Sequence, residues 1–399
     1  MKKNILIIGN FPPPYGGVPH HIERLVEYLT DNKWDCHVLS AGTTGNETKG
    51  ALHIYKPTYL RKILALFFQL TNTQFKKWRA GGNLNSDSSG FWIRYKMYAD
   101  VGSQIIRKND IQLIVAYNSL TYGPVGAYLA KRFNLPLIIN IFGEAYKFQV
   151  MRNNKNFFQK VLAESDVLLA CSKHCGDSIR LLGCDRNVET VTYGVNTQHF
   201  YPGDSVNLRT RLDIGTAPVI LFVGRIDNEM GTDTFLALAQ ALIPKYPTAR
   251  FIIVGQAGDL IKVVLETCEV SNGRIQVIEN VSYNDLADFY RLASVVVVPT
   301  RGDRTCSSLA AMEAMATRKA VVAFAIGGIP EIIVHEKTGL LVTPEDTSAL
   351  TAAVERLLTD NVLRTGLEDA GYEMAQNYFY ERRVSEIMER HYISLINKS

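Results

Sequence analysis

The sequence lacks any long apolar run. Its 399 residues contain no stretch approaching the ~18 uncharged apolar residues that a membrane-spanning helix needs. The apolar run near the amino terminus, residues 5–8, is too short for the hydrophobic region of a signal peptide and ends in a Gly-Asn pair. We therefore expect a cytoplasmic protein that is either fully soluble or peripheral on the inner face of the plasma membrane.

Cysteine is sparse and scattered. No CxxC pair occurs, so neither a zinc site nor a redox motif is indicated. We expect buried free thiols in a reducing compartment, as is usual for isolated cysteines. The six cysteines are Cys36, Cys171, Cys175, Cys184, Cys268 and Cys306.

A large excess of charge of one sign is also missing. The formal net charge of +4 is too small to indicate nucleic-acid binding, and modules that read or stack bases are missing as well. Hydrophobic residues make up 47% and charged residues 21%, which is the composition of a soluble globular protein. A chain of this length accommodates two domains of ordinary size.

Short apolar runs alternate with longer helical patterns, including predicted helices at residues 20–29 and 123–133, which indicates parallel sheets covered by helices. The first series of predicted strands covers residues 4–8, 35–39, 113–116, 137–141, 167–170 and 190–192. The second covers residues 219–223, 250–254, 275–277, 295–298, 320–323 and 339–342. The alternation of strands and helices begins again in the second half of the chain. We therefore predict an α/β protein of two Rossmann-like, doubly wound domains facing an interdomain cleft.

The predicted domain boundary follows from a lapse in this pattern. Residues 201–218 are polar and aperiodic, and we interpret them as the interdomain linker. We place the first domain at residues 1–203 and the second at 204–379. The last periodic stretch, residues 382–396, predicts a helix, and we expect a carboxyl-terminal helix at about 380–399 to pack back on the first domain.

Two glycines follow the first predicted strand. Gly16 and Gly17 lie in the loop Phe-Pro-Pro-Pro-Tyr-Gly-Gly-Val, directly before a predicted helix. Glycine lets a backbone approach a ligand closely, and free N–H groups at a helix start favour anions. The loop is not GxGxxG, so a dinucleotide fingerprint is absent. A tight strand–helix connection that needs glycine for its geometry alone is an equally good interpretation.

An arginine stands at the carboxyl end of the first strand of the second series. Ligands collect at the carboxyl ends of parallel strands, and the guanidinium of Arg225, after Gly224, can bind a diphosphate with two donors. The alternative is a surface arginine that pairs with Asp227 or Glu229. The position at the strand end favours the phosphate role.

The segment from residue 297 to 316 combines a buried strand, a loop and a helix start. Ser307 and Ser308 are good N-cap residues, and the N–H groups that follow point toward an anion in the cleft. Glu313 lies one turn inside the helix, where a carboxylate can bind vicinal ribose hydroxyls. A glutamate in this position is more often only a favourable partner of the helix dipole.

Taken together, these motifs resemble glycosyltransferase family 4, a family of retaining enzymes with the GT-B fold and an E-x7-E motif. The resemblance spans nearly the whole chain, with several motifs in the family's order. They are PPYGGV at 13–18, VLLACSKH at 167–174, YGVNTQHFYP at 193–202, LFVGRI at 221–226, EAMA at 313–316 and GGIPEIIVHEKTGLLV at 327–342.

The resemblance implies roles for Gly16, Gly17, Arg225 and Glu313, which match the family's motifs, and the other candidate residues are their neighbours in the same loops and helix starts. The first domain would bind the acceptor and the second a nucleotide-diphosphate-sugar, with no metal and no other cofactor; no DxD triplet occurs. The catalytic group would be Arg225, Glu313, Thr305 and Asp303. The donor-binding group would be Gly16, Gly17, Gly224, Arg225, Arg304, Ser307, Ser308, Leu309 and Glu313. The acceptor and sugar side would be His20, His21, Phe142, Gly143 and Glu144, although a histidine at a helix start is more often structural, which is the alternative for His20 and His21.

Three positions depart from the family pattern. Thr305 replaces the first acid of E-x7-E, Met230 replaces the lysine of GRxxxEKG, and Phe142 replaces the histidine of an HG pair. Losing a cation beside a diphosphate removes stabilisation of the leaving group, often the largest catalytic contribution. Among the nearby polar residues, which also include Arg301, Arg304 would replace the lysine's charge, and Asp303 or Glu144 would contact the sugar.

A basic and aromatic stretch covers residues 49–96. Between Glu47 and Asp87 there are seven basic residues and no acidic one, with an apolar run at 63–70. Such a segment can lie on an anionic membrane surface, as the resemblance implies for enzymes acting on lipid-linked glycans. A core-packing helix with a solvated basic face is an equally good alternative. The basic residues are Lys49, Lys56, Arg61, Lys62, Lys76, Lys77 and Arg79, and the aromatic ones include Phe75, Trp78, Phe91 and Trp92.

The leading hypothesis is a retaining glycosyltransferase that moves a sugar from a nucleotide diphosphate to a glycan or lipid-linked acceptor. We expect a role in the synthesis of a bacterial surface polysaccharide, such as a capsule, an O-antigen of lipopolysaccharide or an exopolysaccharide. The alternative is a catalytically impaired homologue that binds a nucleotide or glycan as the partner of another transferase. The three departures support that alternative.

Overall fold

The computed structural model describes residues 3–12, 16–40, 45–57, 89–143, 154–302 and 305–398. The chain forms two compact units. Unit 1 comprises Met1–Thr192 with Arg382–Ser399, and unit 2 comprises Tyr193–Glu381. The chain therefore passes between the units twice.

The described part of unit 1 contains an eight-stranded sheet. Its strand order is β3-β4-β2-β1-β5-β6-β7-β8, and all neighbours are parallel except β3 and β4. The strands are β1 (Lys3–Ile8), β2 (Trp34–Leu39), β3 (Glu47–Lys49), β4 (Leu52–Tyr55), β5 (Leu113–Tyr117), β6 (Leu137–Ile141), β7 (Val167–Ala170) and β8 (Val188–Thr190). The helices are α1 (Gly17–Asp31), α2 (Ser89–Lys108), α3 (Gly123–Phe133), α4 (Lys155–Ala163) and α5 (Lys173–Leu181).

Unit 2 contains a six-stranded parallel sheet in its described residues, in the order β11-β10-β9-β12-β13-β14. The strands are β9 (Val219–Val223), β10 (Arg250–Gly255), β11 (Ile275–Glu279), β12 (Val295–Val298), β13 (Ala320–Phe324) and β14 (Leu340–Val342). The helices are α6 (Val206–Arg211), α7 (Thr232–Leu242), α8 (Ile261–Val270), α9 (Tyr283–Leu292), α10 (Leu309–Ala316), α11 (Thr347–Thr359) and α12 (Asn361–Tyr378). The last helix, α13 (Glu381–Ile396), begins at the unit boundary.

The central strands are mostly apolar because helices cover both faces of each sheet. All residues of β5, β6 and β12 are buried, for example. In each sheet the order reverses direction beside the first strand, between β1 and β5 and between β9 and β12. Ligands of doubly wound sheets bind in the crevice at this switch point, at the carboxyl ends of the strands.

The sequence prediction of the strands is confirmed with two exceptions. The strand predicted at residues 190–192 is β8, which ends two residues earlier at Thr190. The short strands β3 and β4 were not predicted, because β3 is a fully exposed antiparallel edge strand without an apolar pattern. The helices predicted at residues 20–29, 123–133 and 382–396 are present as α1, α3 and α13.

The prediction that residues 201–218 form an interdomain linker is wrong. This segment contains α6 and belongs to unit 2, where Leu208 is buried. Arg209 holds the segment in place, because its guanidinium donates to the carbonyl oxygens of Gly215, Ala217 and Leu292. The polar sequence of this segment therefore forms a short helix that packs on unit 2, and not a free linker.

The domain boundary predicted at residue 203 also moves, to Thr192. Residues 193–203 pack on unit 2, where Val195 forms a bridge with Tyr380. The His199 ring stacks on Tyr283 with centroids 4.7 Å apart, and Arg291 donates to the carbonyl oxygen of His199 at 3.0 Å. These side-chain contacts attach the segment to α9.

The carboxyl-terminal helix α13 lies in unit 1 from Arg382, close to the residue 380 that was predicted. Glu389 accepts hydrogen bonds from Tyr28 Oη at 2.9 Å and from Trp34 Nε1 at 2.8 Å. The Tyr392 ring contacts the buried Trp34 edge to face, with centroids 6.0 Å apart. The helix therefore completes the core beside α1 and β2.

Residues 58–88 of the basic and aromatic stretch lie outside the described residues. At its carboxyl end Trp92 is buried and contacts the Phe157 ring at 5.4 Å, so this aromatic belongs to the core of unit 1. Among the described helices, none is both long enough and apolar enough to cross a membrane.

Candidate functional site

A cavity of about 280 Å³ opens at the switch point of the sheet of unit 2. It lies at the carboxyl ends of β9 and β12 and against the start of α10, as the sequence predicts for a ligand site. Its lining residues are Phe222, Val223, Glu229, Met230, Val298, Pro299, Thr300, Thr305, Cys306, Ser307, Ser308, Leu309 and Ala310.

The loop after β9 comes close to its neighbour β10. A Cβ atom on Gly255 would lie 1.7 Å from the carbonyl oxygen of Gly224, so only glycine fits there. Arg225 follows, half exposed, and its Nε donates to Asp227 while Nη2 lies 3.3 Å from Glu229 Oε2. The hydrogen bond that Arg225 donates to Asp227 raises the pKa of the guanidinium, which keeps it fully charged.

Both ion pairs of the alternative interpretation of Arg225 are therefore present. They do not remove the phosphate role, because the guanidinium carries five donors and the Glu229 contact is long. Asp227 has a second function: its Oδ1 accepts from Met230 N at 2.8 Å and shapes the turn. The turn places Arg225 at the strand end.

Met230 lines the cavity with an apolar side chain where the resembled family has lysine. The next residue, Gly231, has φ 78°, and a Cβ atom there would lie 1.9 Å from the Pro299 carbonyl oxygen. A cation does lie nearby: Arg301 donates its backbone N–H to the Glu229 carbonyl at 2.9 Å, and its Nη1 lies 2.8 Å from Asp233 Oδ2. Its Nε is buried without a hydrogen-bond partner in the described part of the chain.

The start of α10 forms one wall of the cavity. Ser308 caps the helix, because its Oγ accepts from Ala311 N at 3.2 Å, which confirms the predicted N-cap. The Ser307 hydroxyl is buried and has no hydrogen-bond partner among the residues described. A buried hydroxyl without a partner in a cavity wall is available to a ligand. Leu309, the first helical residue, contributes to the same wall.

Glu313 lies further along α10 and is buried. Its Oε2 accepts from the hydroxyl of Tyr290 at 2.7 Å, and Tyr290 is itself completely buried on α9. Burial raises the pKa of Glu313 to about 7, while the Tyr290 hydrogen bond opposes the rise. Near neutral pH the carboxyl is therefore close to the midpoint of its titration.

The Gly-Gly turn at residues 327–328 supports the loop that carries Thr305. Gly328 N donates to the Thr305 carbonyl at 2.7 Å. Gly327 has φ 57°, and a Cβ atom on it would lie 2.1 Å from the same oxygen. The turn and the loop therefore fit together only with glycine at position 327.

In unit 1 the predicted glycine loop ends at the start of α1. Gly16 has an extended backbone with φ 166°, which any residue adopts, and a Cβ atom would meet only Pro19 Cδ at 3.8 Å. Geometry alone therefore does not require glycine at position 16. Gly17 is the first helical residue.

The two histidines of α1 differ in their surroundings. His20 Nδ1 lies 3.1 Å from Glu23 Oε2, a partner one helical turn away. His21 lies 5.9 Å from the Tyr117 ring, and burial lowers its pKa to about 4, so its imidazole is neutral at physiological pH.

A second cavity, of about 580 Å³, opens at the switch point of the sheet of unit 1. Phe142 lies in it and stacks on Tyr117, with centroids 5.8 Å apart and an interplanar angle of 13°. Gly143 follows Phe142 and ends the described segment. The lining residues are Asn10, Val18, Pro57, Ile93, Arg94, Met97, Tyr98, Tyr117, Asn118, Thr121, Tyr122 and Phe142.

Three predicted site residues, Asp303, Arg304 and Glu144, lie outside the described residues. Their roles stay predictions. Sequence reasoning missed Tyr290 and Arg94, since a tyrosine and an arginine within helices carry no motif. Tyr290 follows the pattern of an ordinary core residue and is recognised only by its contact with Glu313.

Two family models match most of the chain. The model described as Glycosyltransferase Family 4 matches residues 15–199, and the model described as Glycosyl transferases group 1 matches residues 217–360. The chain belongs to the family 4 glycosyltransferases. The first match falls almost entirely in unit 1 and the second in unit 2, so both units take part in this assignment.

Relatives of the chain include other glycosyltransferases. An uncharacterized glycosyltransferase of Methanocaldococcus jannaschii is 25% identical over 388 residues, which cover 95% of each chain. A D-inositol 3-phosphate glycosyltransferase of Catenulispora acidiphila is 27% identical over 306 residues, covering 70% of this chain and 71% of the relative.

Solved structures share the fold over its full length. Sucrose-phosphate synthase from Thermosynechococcus elongatus has a TM-score of 0.81 and 22% identity, with 100% of both chains covered. HepE of Anabaena, solved in complex with UDP, has a TM-score of 0.76 and 16% identity, covering 98% of this family 4 chain and 100% of HepE. The GT-B fold that the resemblance implied is confirmed.

Proposed function

We propose that this family 4 glycosyltransferase transfers a sugar, with retention, from a nucleotide-diphosphate-sugar to a glycan or lipid-linked acceptor. The bond between the anomeric carbon and the diphosphate oxygen breaks, and a bond to the acceptor hydroxyl oxygen forms on the same face. The hydroxyl proton leaves with the diphosphate. Synthesis of a surface polysaccharide is the setting that we propose for this reaction.

The cavity of unit 2 carries the proposal. It lies where doubly wound sheets bind ligands, and the buried Ser307 hydroxyl and the amino-terminal N–H groups of α10 favour an anion. HepE, which shares the fold, was solved with UDP and also with UDP-glucose, which supports a donor of this class. We assign the diphosphate to this cavity, with Glu313 near the ribose.

Arg225 supplies the counter-charge to the departing diphosphate. Its firm partner is Asp227, which fixes the guanidinium at the end of β9. A phosphate oxygen would displace Glu229, whose contact is 3.3 Å long, and would gain a charge-assisted hydrogen bond. We propose that the reaction requires no metal, since Arg225 and the N–H groups of the helix start supply the positive potential.

The alternative is a nucleotide-binding partner without transfer activity. Specific observations favour it: Met230 leaves an apolar side chain in the cavity wall, and Thr305 offers no carboxylate to the sugar. Arg301 weakens this alternative, because it places a guanidinium next to the Met230 turn.

The test is nucleotide binding combined with a screen for donor hydrolysis over several nucleotide-sugars. We expect Arg225→Ala to weaken the binding of a nucleoside diphosphate by about 10- to 100-fold, the effect of losing a hydrogen bond between charged groups. Isothermal titration calorimetry measures the change. The matched control is Arg250→Ala, at the opposite, amino-terminal end of the neighbouring strand β10.

The outcomes separate the two functions. Binding with slow hydrolysis of one donor supports the transferase. Binding without turnover of any donor, with lipid-linked acceptors added, supports the binding partner. If no nucleoside diphosphate binds, both proposals fail.

A further inference from the structure

The cavity of unit 1 has an uneven charge. Among its described lining residues there is one cationic side chain, Arg94, and there is no carboxylate. A neutral sugar is usually bound by a mixture of donors and acceptors, including carboxylates that accept from its hydroxyls. This lining therefore favours a ligand that carries negative charge.

Arg94 is placed to meet such a ligand. It is exposed on α2 and forms no ion pair or hydrogen bond within the described part of the chain. Burial raises the pKa of Tyr98 and Tyr122, and the nearby Arg94 guanidinium opposes this rise in both. Arg94, Tyr98 and Tyr122 line the same cavity.

The two asparagines of the lining add donors. Asn118 Oδ1 accepts from Leu120 N and Thr121 N, at 3.1 and 2.8 Å. Because backbone N–H groups only donate, the oxygen must face them. Among the described residues the Nδ2 donors of Asn118 meet no acceptor, so they are available to a ligand. Asn10 Oδ1 accepts from the Tyr122 hydroxyl, which holds the amide group of Asn10 in the same cavity.

One wall of the cavity is an aromatic surface. The stacked rings of Tyr117 and Phe142 are both buried, and Ile93 and Met97 are further apolar members of the lining. A flat apolar surface beside polar groups suits the C–H face of a sugar or cyclitol ring. The volume of about 580 Å³ accommodates a ligand of one or two rings.

We propose that the unit 1 cavity binds the acceptor through an anionic group, a phosphate or a carboxylate on a sugar or cyclitol ring, with Arg94 as the counter-ion. The apolar face of the ring packs against Phe142, Ile93 and Met97, and the anionic group accepts hydrogen bonds from the planar guanidinium and the asparagine amides. The inference rests on the proposed function, because that function makes the bound molecule an acceptor.

The experiment measures binding of four probes to the full chain by calorimetry: glucose 6-phosphate, glucuronate, glucose and inorganic phosphate. We expect at least one of the two anionic sugars to bind about tenfold or more tightly than glucose, and more tightly than inorganic phosphate. The stronger of glucose 6-phosphate and glucuronate identifies the group as phosphate or carboxylate.

The variants locate the effect. Arg94→Gln should reduce the preference for the anionic sugar to about twofold or less, and Arg94→Lys should retain part of it because the charge remains without the planar geometry. The matched control is Arg107→Gln, an exposed arginine in the last turn of the same helix. It should leave all affinities unchanged.

The outcomes distinguish this inference from the proposed function. UDP is titrated in parallel on every variant. If UDP binds but glucose binds as well as the anionic sugars, or if no sugar probe binds, the Arg94 inference is wrong and the donor assignment stands. If the anionic sugar depends on Arg94 but no nucleotide binds, the anion site stands and the proposed function fails.

Discussion

At the scale of single residues, the hydrogen bond from the Tyr290 hydroxyl to Glu313 influences whether Glu313 is charged. Glu313 is the residue that we assign to the ribose of the nucleotide. Burial raises the pKa of Glu313 to about 7, above its ordinary value of 4.5, and the Tyr290 hydroxyl lowers it. Ribose hydroxyls donate to a carboxylate more strongly than to a neutral carboxyl. Nucleotide binding that depends on Glu313 should therefore weaken as the pH falls through about 7.

Tyr290→Phe removes the donor that favours the charged form. We expect the midpoint of the pH dependence of UDP binding to move upward by about one pH unit, while Glu313→Gln should weaken binding and flatten this part of the profile. Titration calorimetry between pH 5.5 and 9 measures the profile. Titration of the phosphate itself is common to all variants and cancels in the comparison.

The matched control is Tyr246→Phe. Tyr246 also donates to a glutamate, Glu355 Oε1, at 3.2 Å, but the pair lies elsewhere in unit 2 and the glutamate side chain is 31% exposed, not buried like Glu313. The control should bind UDP with the wild-type pH profile. If Tyr290→Phe behaves like the control, the hydrogen bond has only a structural role.

At the scale of structural elements, the turn at Gly327 and the loop at Thr305 depend on each other. Gly327→Ala places a residue with a side chain at φ 57° and brings its Cβ atom against the Thr305 carbonyl. We expect the free energy of unfolding of unit 2 to fall by about 2–3 kcal/mol, of which left-handed strain supplies about 1–2. UDP affinity should also fall, because Thr305 belongs to the cavity wall.

Gly215→Ala is the control for strain alone. Gly215 has the same φ of 57°, but a Cβ atom there meets nothing within 4 Å. The free energy of unfolding of the Gly215→Ala variant, measured in urea, should fall by only about 1–2 kcal/mol, and its UDP affinity should not change. Equal losses in the two variants would mean that the contact with the Thr305 loop contributes nothing.

The elements could be predicted from the sequence where burial on both faces imposes a continuous apolar run. The four valines at residues 295–298 form β12 with the predicted bounds. The segment at 201–218 could not be interpreted correctly, because hydrogen bonds from the Arg209 side chain to the carbonyl oxygens of Gly215 and of Leu292, 83 positions away, hold it in place. A polar pattern does not encode such bonds.

The candidate site divides in the same way. Gly224, Arg225 and Ser308 could be placed from the sequence because strand order brings strand ends together. The partners of site residues could not, since they come from other elements: Tyr290 is 23 positions from Glu313, and Arg301 bonds to Thr234, 67 positions away. Such pairs depend on helix packing, which a single sequence does not specify.

At the scale of the whole molecule, each of the two sheets has its own core. After the second crossing of the chain, α13 belongs to unit 1. All three tryptophans, Trp34, Trp78 and Trp92, belong to the sequence range of unit 1. Tryptophan fluorescence therefore follows the unfolding of unit 1 alone, whereas far-ultraviolet circular dichroism follows both units.

This difference between the probes allows a test of the separate cores. Glu389→Ala leaves the indole N–H of Trp34 and the hydroxyl of Tyr28 without their acceptor, which should cost unit 1 about 1–3 kcal/mol. In urea the fluorescence midpoint should then move down while the part of the dichroism change that belongs to unit 2 stays in place. Gly327→Ala should produce the reverse pattern.

Glu386→Ala on the same helix supplies the control, because it removes only an exposed ion pair with Arg382, worth about 0–1 kcal/mol. Its fluorescence midpoint should stay near that of the wild type. If Glu389→Ala and Gly327→Ala instead shift both probes together, the two units unfold as one. The second crossing would then couple the two sheets, since α13 begins beside the bridge of Tyr380 to Val195 in unit 2 and ends in the core of unit 1.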